Sequence, residues 1–228
     1  TSSEFQDEST PFYPRSPYAV AKVFGYWSVI NHREAYGIHA SNGIFFNHES
    51  PIRGETFVTK KIVRAIREII RGRTPYMLLG NLYAIRDWGH AKDYVRAMWM
   101  MLQHEDPLDL VIASGKAFSV KDFAISAFIF LGIEIEFRGV GQEEVGVIKS
   151  IKKERFEKIL PKRLLANIKA GQIIIKIDPV YFRPTEVNFL LGDSSKARKL
   201  LGWEPEYIFE DLVADMVLSE FSMNNDDK

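Results

Sequence analysis

Between residues 56 and 71, Phe57, Ile62, Ile66, Ile69 and Ile70 fall on one stripe at helical spacing, and the stretch stops at Gly72. That periodicity predicts an amphipathic helix. Comparable patterning predicts helices over 18–36, closed by Gly37, over 88–104, and over 120–131, capped by Ser119 and ended by Gly132. Asp193 opens another helix, and a last amphipathic one runs over 208–221 before a polar tail at 222–228. Residues 39–46 and 110–113 read as buried strands, 76–79 as a short strand, and 173–177 alternates into another; the first ends in a polar turn of Asn47, His48 and Glu49. The basic stretch 149–169, broken at Pro161, predicts a solvated charged helix, with a phosphate-contacting or partner-binding element as the alternative. Phe123, Phe128 and Phe130 are assigned to the core. Helices alternating with short strands predict an α/β fold.

One helix start carries chemistry. In Pro14-Arg15-Ser16-Pro17-Tyr18, Ser16 is placed to cap and Pro17 to take the first helical position, which puts Tyr18 in the first turn. Lys22, four residues on, shares its face. An ammonium beside a phenol stabilises the phenolate, so a tyrosine can serve as a base near neutral pH. Upstream, Ser2-Ser3-Glu4 is followed by the polar run 6–10, which reads as a strand end passing into a loop. Catalytic groups of open parallel sheets gather at such ends.

Composition narrows the classes without choosing among them. The 228 residues are 46% hydrophobic and 26% charged, with no net charge, as in one or two ordinary globular units. Nothing in that balance recruits nucleic acid or a membrane surface. With no cysteine, the chain has no disulfide framework, cysteine nucleophile or cysteine metal cluster, and no metal is expected; the cytoplasm is the expected compartment. No apolar stretch reaches the length of about 20 residues that spans a bilayer.

Ser2-x-Glu4 with Tyr18-x-x-x-Lys22 resembles the catalytic set of the extended short-chain dehydrogenase/reductase family, in its branch of nucleotide-sugar 4,6-dehydratases. Five longer words in order, 10–18, 46–51, 53–59, 86–94 and 181–187, are similar to the members that act on GDP-mannose. The resemblance runs from Thr1 to about Leu212. It implies the C-terminal part of a Rossmann-like doubly wound parallel sheet plus a smaller α/β substrate-binding domain. Residues 1–49 and 87–114 would be the NADP-binding remnant, and 50–86 with 115–228 the nucleotide-sugar-binding domain. The sequence has no G-x-G-x-x-G, so the phosphate-binding turn and the first strands are expected upstream of Thr1.

The resemblance also assigns roles. Tyr18 takes the sugar's 4-hydroxyl proton, Lys22 stabilises the phenolate and bonds the cofactor ribose, Glu4 removes the carbon 5 proton, and Ser2 hydrogen-bonds the reacting oxygen. Glu4 separates dehydration from simple ketone reduction, and so argues against the related reductases. His48 and Arg53 are implied at the NADP cofactor, Asn47 at the sugar nucleotide, Lys61, Arg86 and Arg183 at the diphosphate, and Glu186 at a ribose hydroxyl. The substrate implied is GDP-mannose, converted to GDP-4-keto-6-deoxymannose by a homodimer or homotetramer. Two departures stand out: the interval from Glu4 to Tyr18 is shorter than the family's, and Ile52 stands where an arginine is expected beside Arg53. A second reading shares most of these motifs: a catalytically silent chain that keeps at most a GDP-sugar pocket or a subunit-docking surface.

Overall fold

The computed structural model describes residues 5–181, 187 and 189–222. In chain order the elements are α1 (Pro17–Tyr36), β1 (Asn42–Phe45), β2 (Asn47–Glu49), α2 (Val58–Ile70), β3 (Met77–Leu79), β4 (Ile85–His90), α3 (Ala91–Gln103) and β5 (Asp109–Ile112). They continue with β6 (Ala117–Ser119), α4 (Val120–Phe130), β7 (Ile133–Arg138), β8 (Val145–Ile151), α5 (Lys153–Ile159), β9 (Ile173–Ile177), α6 (Ser195–Leu201) and α7 (Phe209–Ser222). Two compact units form, one from Thr1–Glu49, Ile85–Ala117 and Pro184–Phe209, the other from Ser50–Ala84, Phe118–Arg183 and Glu210–Lys228.

The first unit is built on parallel pairs. β1 lies beside β5, with Asn42 opposite Asp109 and Phe45 opposite Ile112, and β2 lies beside β4. Leu110 and Ile112 of β5 pack with Tyr94, Ala97 and Met101 of α3 and with Ala197 and Trp203. Trp203 is fully buried and its indole N–H donates to the Asp93 carbonyl at 2.9 Å. The other edge of β5 is closed by side chains: Lys196 donates to the Asp109 carbonyl, the Val111 N–H donates to Glu8, and the Ser194 hydroxyl donates to the Ala113 carbonyl. An edge strand so occupied offers little for another chain to pair with.

The second unit holds a four-stranded mixed sheet in the order β3-β9-β8-β7, parallel between β3 and β9 and antiparallel elsewhere. Ile62, Ile66, Ile69 and Ile70 of α2 are buried, as the stripe predicted, together with Val63 and with Phe123, Ala127 and Phe128 of α4. Phe57, expected on the same stripe, stands at the N-cap of the helix and is 44% exposed, and Phe130, expected in the core, is half-buried because it ends α4. Ser119 closes a capping box with Asp122 at the start of α4. The buried Glu220 of α7 takes ion pairs from Lys60 and Arg67 of α2 at 2.5 and 2.8 Å.

Four segments differ from the sequence reading. Residues 47–49 form a strand rather than a turn, because the backbone of β4 lies beside them. Residues 85–90 are that strand, so the helix expected from 88 begins only at Ala91, with His90 as its cap. The basic stretch is not one helix: β8 runs to Ile151, α5 follows, and after Pro161 the chain winds into a 3-10 helix over Lys162–Asn167. Residues 184–209, assigned above to the sugar-nucleotide portion, group with the first unit, to which Ala197 and Trp203 contribute core.

Candidate active site

The start of α1 follows the sequence closely. The Ser16 hydroxyl accepts the Ala19 N–H at 3.1 Å, Pro17 takes the first position, and Gly37 ends the helix in the left-handed region at φ 62°. Tyr18 is 72% exposed in the first turn, and the Lys22 ammonium lies 5.4 Å from the centre of its ring. Phenol and ammonium therefore share an open face. The far end of the helix is tied down by Arg33, whose guanidinium grips the Asp109 carboxylate with bonds of 2.7 and 3.2 Å. Burial pushes the Asp109 carboxyl up, but the bonds from Arg33 and Asn42 outweigh it and leave it below its ordinary value.

Before α1, the loop is folded on itself. Asp7 accepts the Ser9 N–H and hydroxyl at 2.9 and 2.7 Å, and its own N–H donates to the Thr10 hydroxyl at 3.0 Å. This is how a short loop satisfies its backbone. The loop walls a cleft of about 510 Å³ in the first unit, lined by Gln6, Tyr13, Arg15, Phe46, Val111 and Phe189 among others. Apolar walls with a few polar groups are the usual make-up of a small-molecule site.

His48 and Asn47 are half-buried on β2. His48 Nδ1 donates to the Phe46 carbonyl at 3.0 Å, and the ring packs against Tyr94 at 5.0 Å. Arg86 donates to the Ile85 carbonyl at 2.8 Å. In the second unit, the Arg53 guanidinium stacks 3.5 Å above the Phe57 ring, and the Lys61 ammonium sits 3.2 Å above that of Tyr181. Burial pushes Lys61 below its usual value, with Asp178 pulling the other way. Ser2, Glu4, Arg183 and Glu186 lie outside the described residues. Tyr18 and Lys22 are thus brought together; His48 and Arg53 belong to different units, as do Arg86 and Lys61.

Sequence reasoning missed Asp87. Its buried carboxylate accepts N–H bonds from Ser114 at 2.8 Å, Gly115 at 2.9 Å and Gly192 at 3.3 Å, which fastens β4 to the ends of two other segments. Burial pushes this carboxyl up and the N–H bonds pull it part of the way back. Gln6, bonded to residues 191–193, was missed as well. No local signal marks either, because their partners are backbone groups far along the chain. Among the described residues no group of three or more His, Cys, Asp or Glu is arranged to hold a metal, and no helix is long and apolar enough to cross a membrane.

Parallel strands linked by helices make the first unit part of a Rossmann-type α/β fold, with a tyrosine and a lysine one turn apart at a capped helix start. Solved structures share that fold. RMD from Pseudomonas aeruginosa complexed with NADPH superposes with a TM-score of 0.71 at 16% identity, covering 95% of this chain and 59% of that one. The dTDP-glucose 4,6-dehydratase from Bacillus anthracis in complex with NAD gives 0.69 at 16% identity, covering 98% and 58%.

The profile of the GDP-mannose 4,6 dehydratase family matches residues 1–216, and the chain belongs to that family. A GDP-mannose 4,6-dehydratase of Vibrio cholerae serotype O1 is 54% identical over 215 residues, covering 94% of this chain and 55% of the relative. GDP-mannose 4,6 dehydratase 2 of Caenorhabditis elegans is 50% identical over 218 residues, covering 96% and 52%. The chain spans about half the length of the curated relatives it matches.

Proposed function

We propose that this chain carries the catalytic residues of an NADP-dependent GDP-mannose 4,6-dehydratase, a lyase that turns GDP-mannose into GDP-4-keto-6-deoxymannose. The observation that carries the reading is the open pairing of Tyr18 with Lys22 at the capped start of α1, in a chain of this family. The phenol and ammonium suit the nicotinamide-riboside end of a dinucleotide, where a base and a hydroxyl-binding cation are needed together. No glycine-rich turn in this sequence suits the pyrophosphate.

A nicotinamide held by Tyr18, Lys22, His48 and Arg53 would supply the hydride acceptor at carbon 4 of the sugar and the hydride donor at carbon 6. Tyr18 takes the proton from the 4-hydroxyl, and Lys22 favours the phenolate that does so. The resulting ketone acidifies carbon 5. Glu4 removes that proton and passes one to the departing 6-hydroxyl, which leaves as water, while Ser2 holds a hydrogen bond to the reacting oxygen. Asn47 and Glu186 bind hydroxyls of the sugar nucleotide. Lys61, Arg86 and Arg183 are suited to diphosphate oxygens, arginine by its planar fork and permanent charge. His48 and Arg53 bind the cofactor, and the first unit is the cofactor-binding part. A homodimer or homotetramer in the cytoplasm belongs to the same reading.

The test is to incubate the protein with GDP-mannose and NADP and weigh the sugar nucleotide. A product lighter by one water, absent in Tyr18→Phe and in Glu4→Gln, is expected. Binding of GDP-mannose with no loss of water would favour the silent chain instead.

A further inference from the structure

We propose that Tyr181 is a positioning residue for the diphosphate contact: its ring holds the Lys61 ammonium face-on, so that the lysine meets a nucleoside diphosphate already aimed and partly dehydrated. The proposal rests on the reading of Lys61 as that contact. Lys61 follows Lys60 on α2, and the two ammoniums are used differently. That of Lys60 donates to the Pro51 carbonyl at 2.7 Å and pairs with the buried Glu220 at 2.5 Å. That of Lys61 makes no hydrogen bond or ion pair with another described residue, and lies 3.2 Å from the centre of the Tyr181 ring, over its face.

A lysine is a strongly hydrated charge on a flexible stem, so it stays in one place only where something holds it. The ring does this without using any of the three N–H donors, because its negative face attracts the cation as a whole. Burial meanwhile pushes Lys61 below its ordinary value, against the pull of the Asp178 carboxylate. The charge is therefore short both of water and of a close counter-ion. Phosphate oxygens would supply what is missing.

The ring is fixed by the backbone that carries it. Ile177 of β9 lies opposite Leu79 of β3, the Asp178 N–H donates to the Leu79 carbonyl at 2.9 Å, and the chain then winds through one 3-10 turn over Pro179–Tyr181. Asp178 closes that turn twice: its carbonyl accepts the Tyr181 N–H at 3.1 Å, and its carboxylate accepts the Val180 N–H at 3.0 Å. Gly80 lies against it, where a Cβ would stand 2.7 Å from the Tyr181 carbonyl oxygen, so only glycine allows the approach. Tyr181 itself is 48% exposed, and its side chain can be changed without emptying a core.

The experiment measures binding of GDP and of guanosine to the full encoded chain by calorimetry, in Tyr181→Leu, Tyr181→Phe, Lys61→Met and the double variant of Tyr181→Leu with Lys61→Met. Tyr181→Leu is expected to weaken GDP about fivefold and to leave guanosine unaltered, while Tyr181→Phe, which keeps the ring, binds GDP as the unaltered protein does. In the Lys61→Met background, Tyr181→Leu has no further effect, since the ring acts through the lysine. With no ligand added, the ring-current shielding of the Lys61 ε-methylene protons is lost in Tyr181→Leu and kept in Tyr181→Phe. Unaltered GDP affinity in a folded Tyr181→Leu protein, an equal loss for guanosine, or a loss that persists in the Lys61→Met background would overturn the proposal alone. Unaltered GDP affinity in Lys61→Met would overturn the diphosphate reading and the proposal with it.

Discussion

At the scale of single residues, Asp109 joins structure to solution behaviour. Its carboxyl sits below its ordinary value of 3.8, since burial, which raises it, is outweighed by the bonds from Arg33 and Asn42. A carboxylate depressed in the folded state adds stability above its unfolded value, and that stability is lost as acid titrates the folded group. The melting temperature is therefore expected to fall between about pH 5 and 2, and to fall less steeply in Asp109→Asn. Equal acid slopes in the two proteins would show that the Arg33 grip contributes nothing. Tyr18, Lys22, Ser16 and Pro17 were legible in sequence because their geometry is local, set within one helical turn. Asp87 and Gln6 were not, because their bonds run to backbone 27 and 185 residues away.

At the scale of elements, caps and core packing set the stability of each unit. Ser119 caps α4, as the serine ahead of an apolar run predicted, and Asp122 completes a capping box with it, so Ser119→Ala is expected to destabilise the second unit by about 1 kcal/mol in denaturant melts. Trp203, fully buried with its N–H on the Asp93 carbonyl, is a larger matter: Trp203→Ala is expected to cost about 3 to 5 kcal/mol, and a loss below 1 would mean the site is not the core it looks to be. The helices with strong periodicity were legible, α2 above all. β2 and β4 were not, because three and six polar or mixed residues become strands only when each supplies the other's partner. Within 149–169 the charged residues hid the end of β8, whose alternation with β7 is a tertiary fact.

At the scale of the whole molecule, α1 shows what the chain leaves uncovered. None of its residues is buried, and Phe24 and Trp27 are 75% and 56% exposed. Exposed apolar surface of that kind favours association. The 228-residue chain by itself is expected to sediment as an oligomer, and Phe24→Lys with Trp27→Lys to shift it toward monomer; a monodisperse monomer before substitution would contradict the expectation. The α/β class and the family were legible in the order of the motif words, while the grouping of 184–209 with the first unit was not, since it depends on where Trp203 packs. In the proposed reaction one site oxidises carbon 4, expels water across carbons 5 and 6, and reduces carbon 6 with the hydrogen it removed. Its most direct test is GDP-mannose deuterated at carbon 4, incubated with the protein and NADP. A keto product that has lost one water and carries the deuterium on carbon 6 is expected; a keto product with the deuterium gone to solvent, or unchanged substrate, would contradict the proposed function.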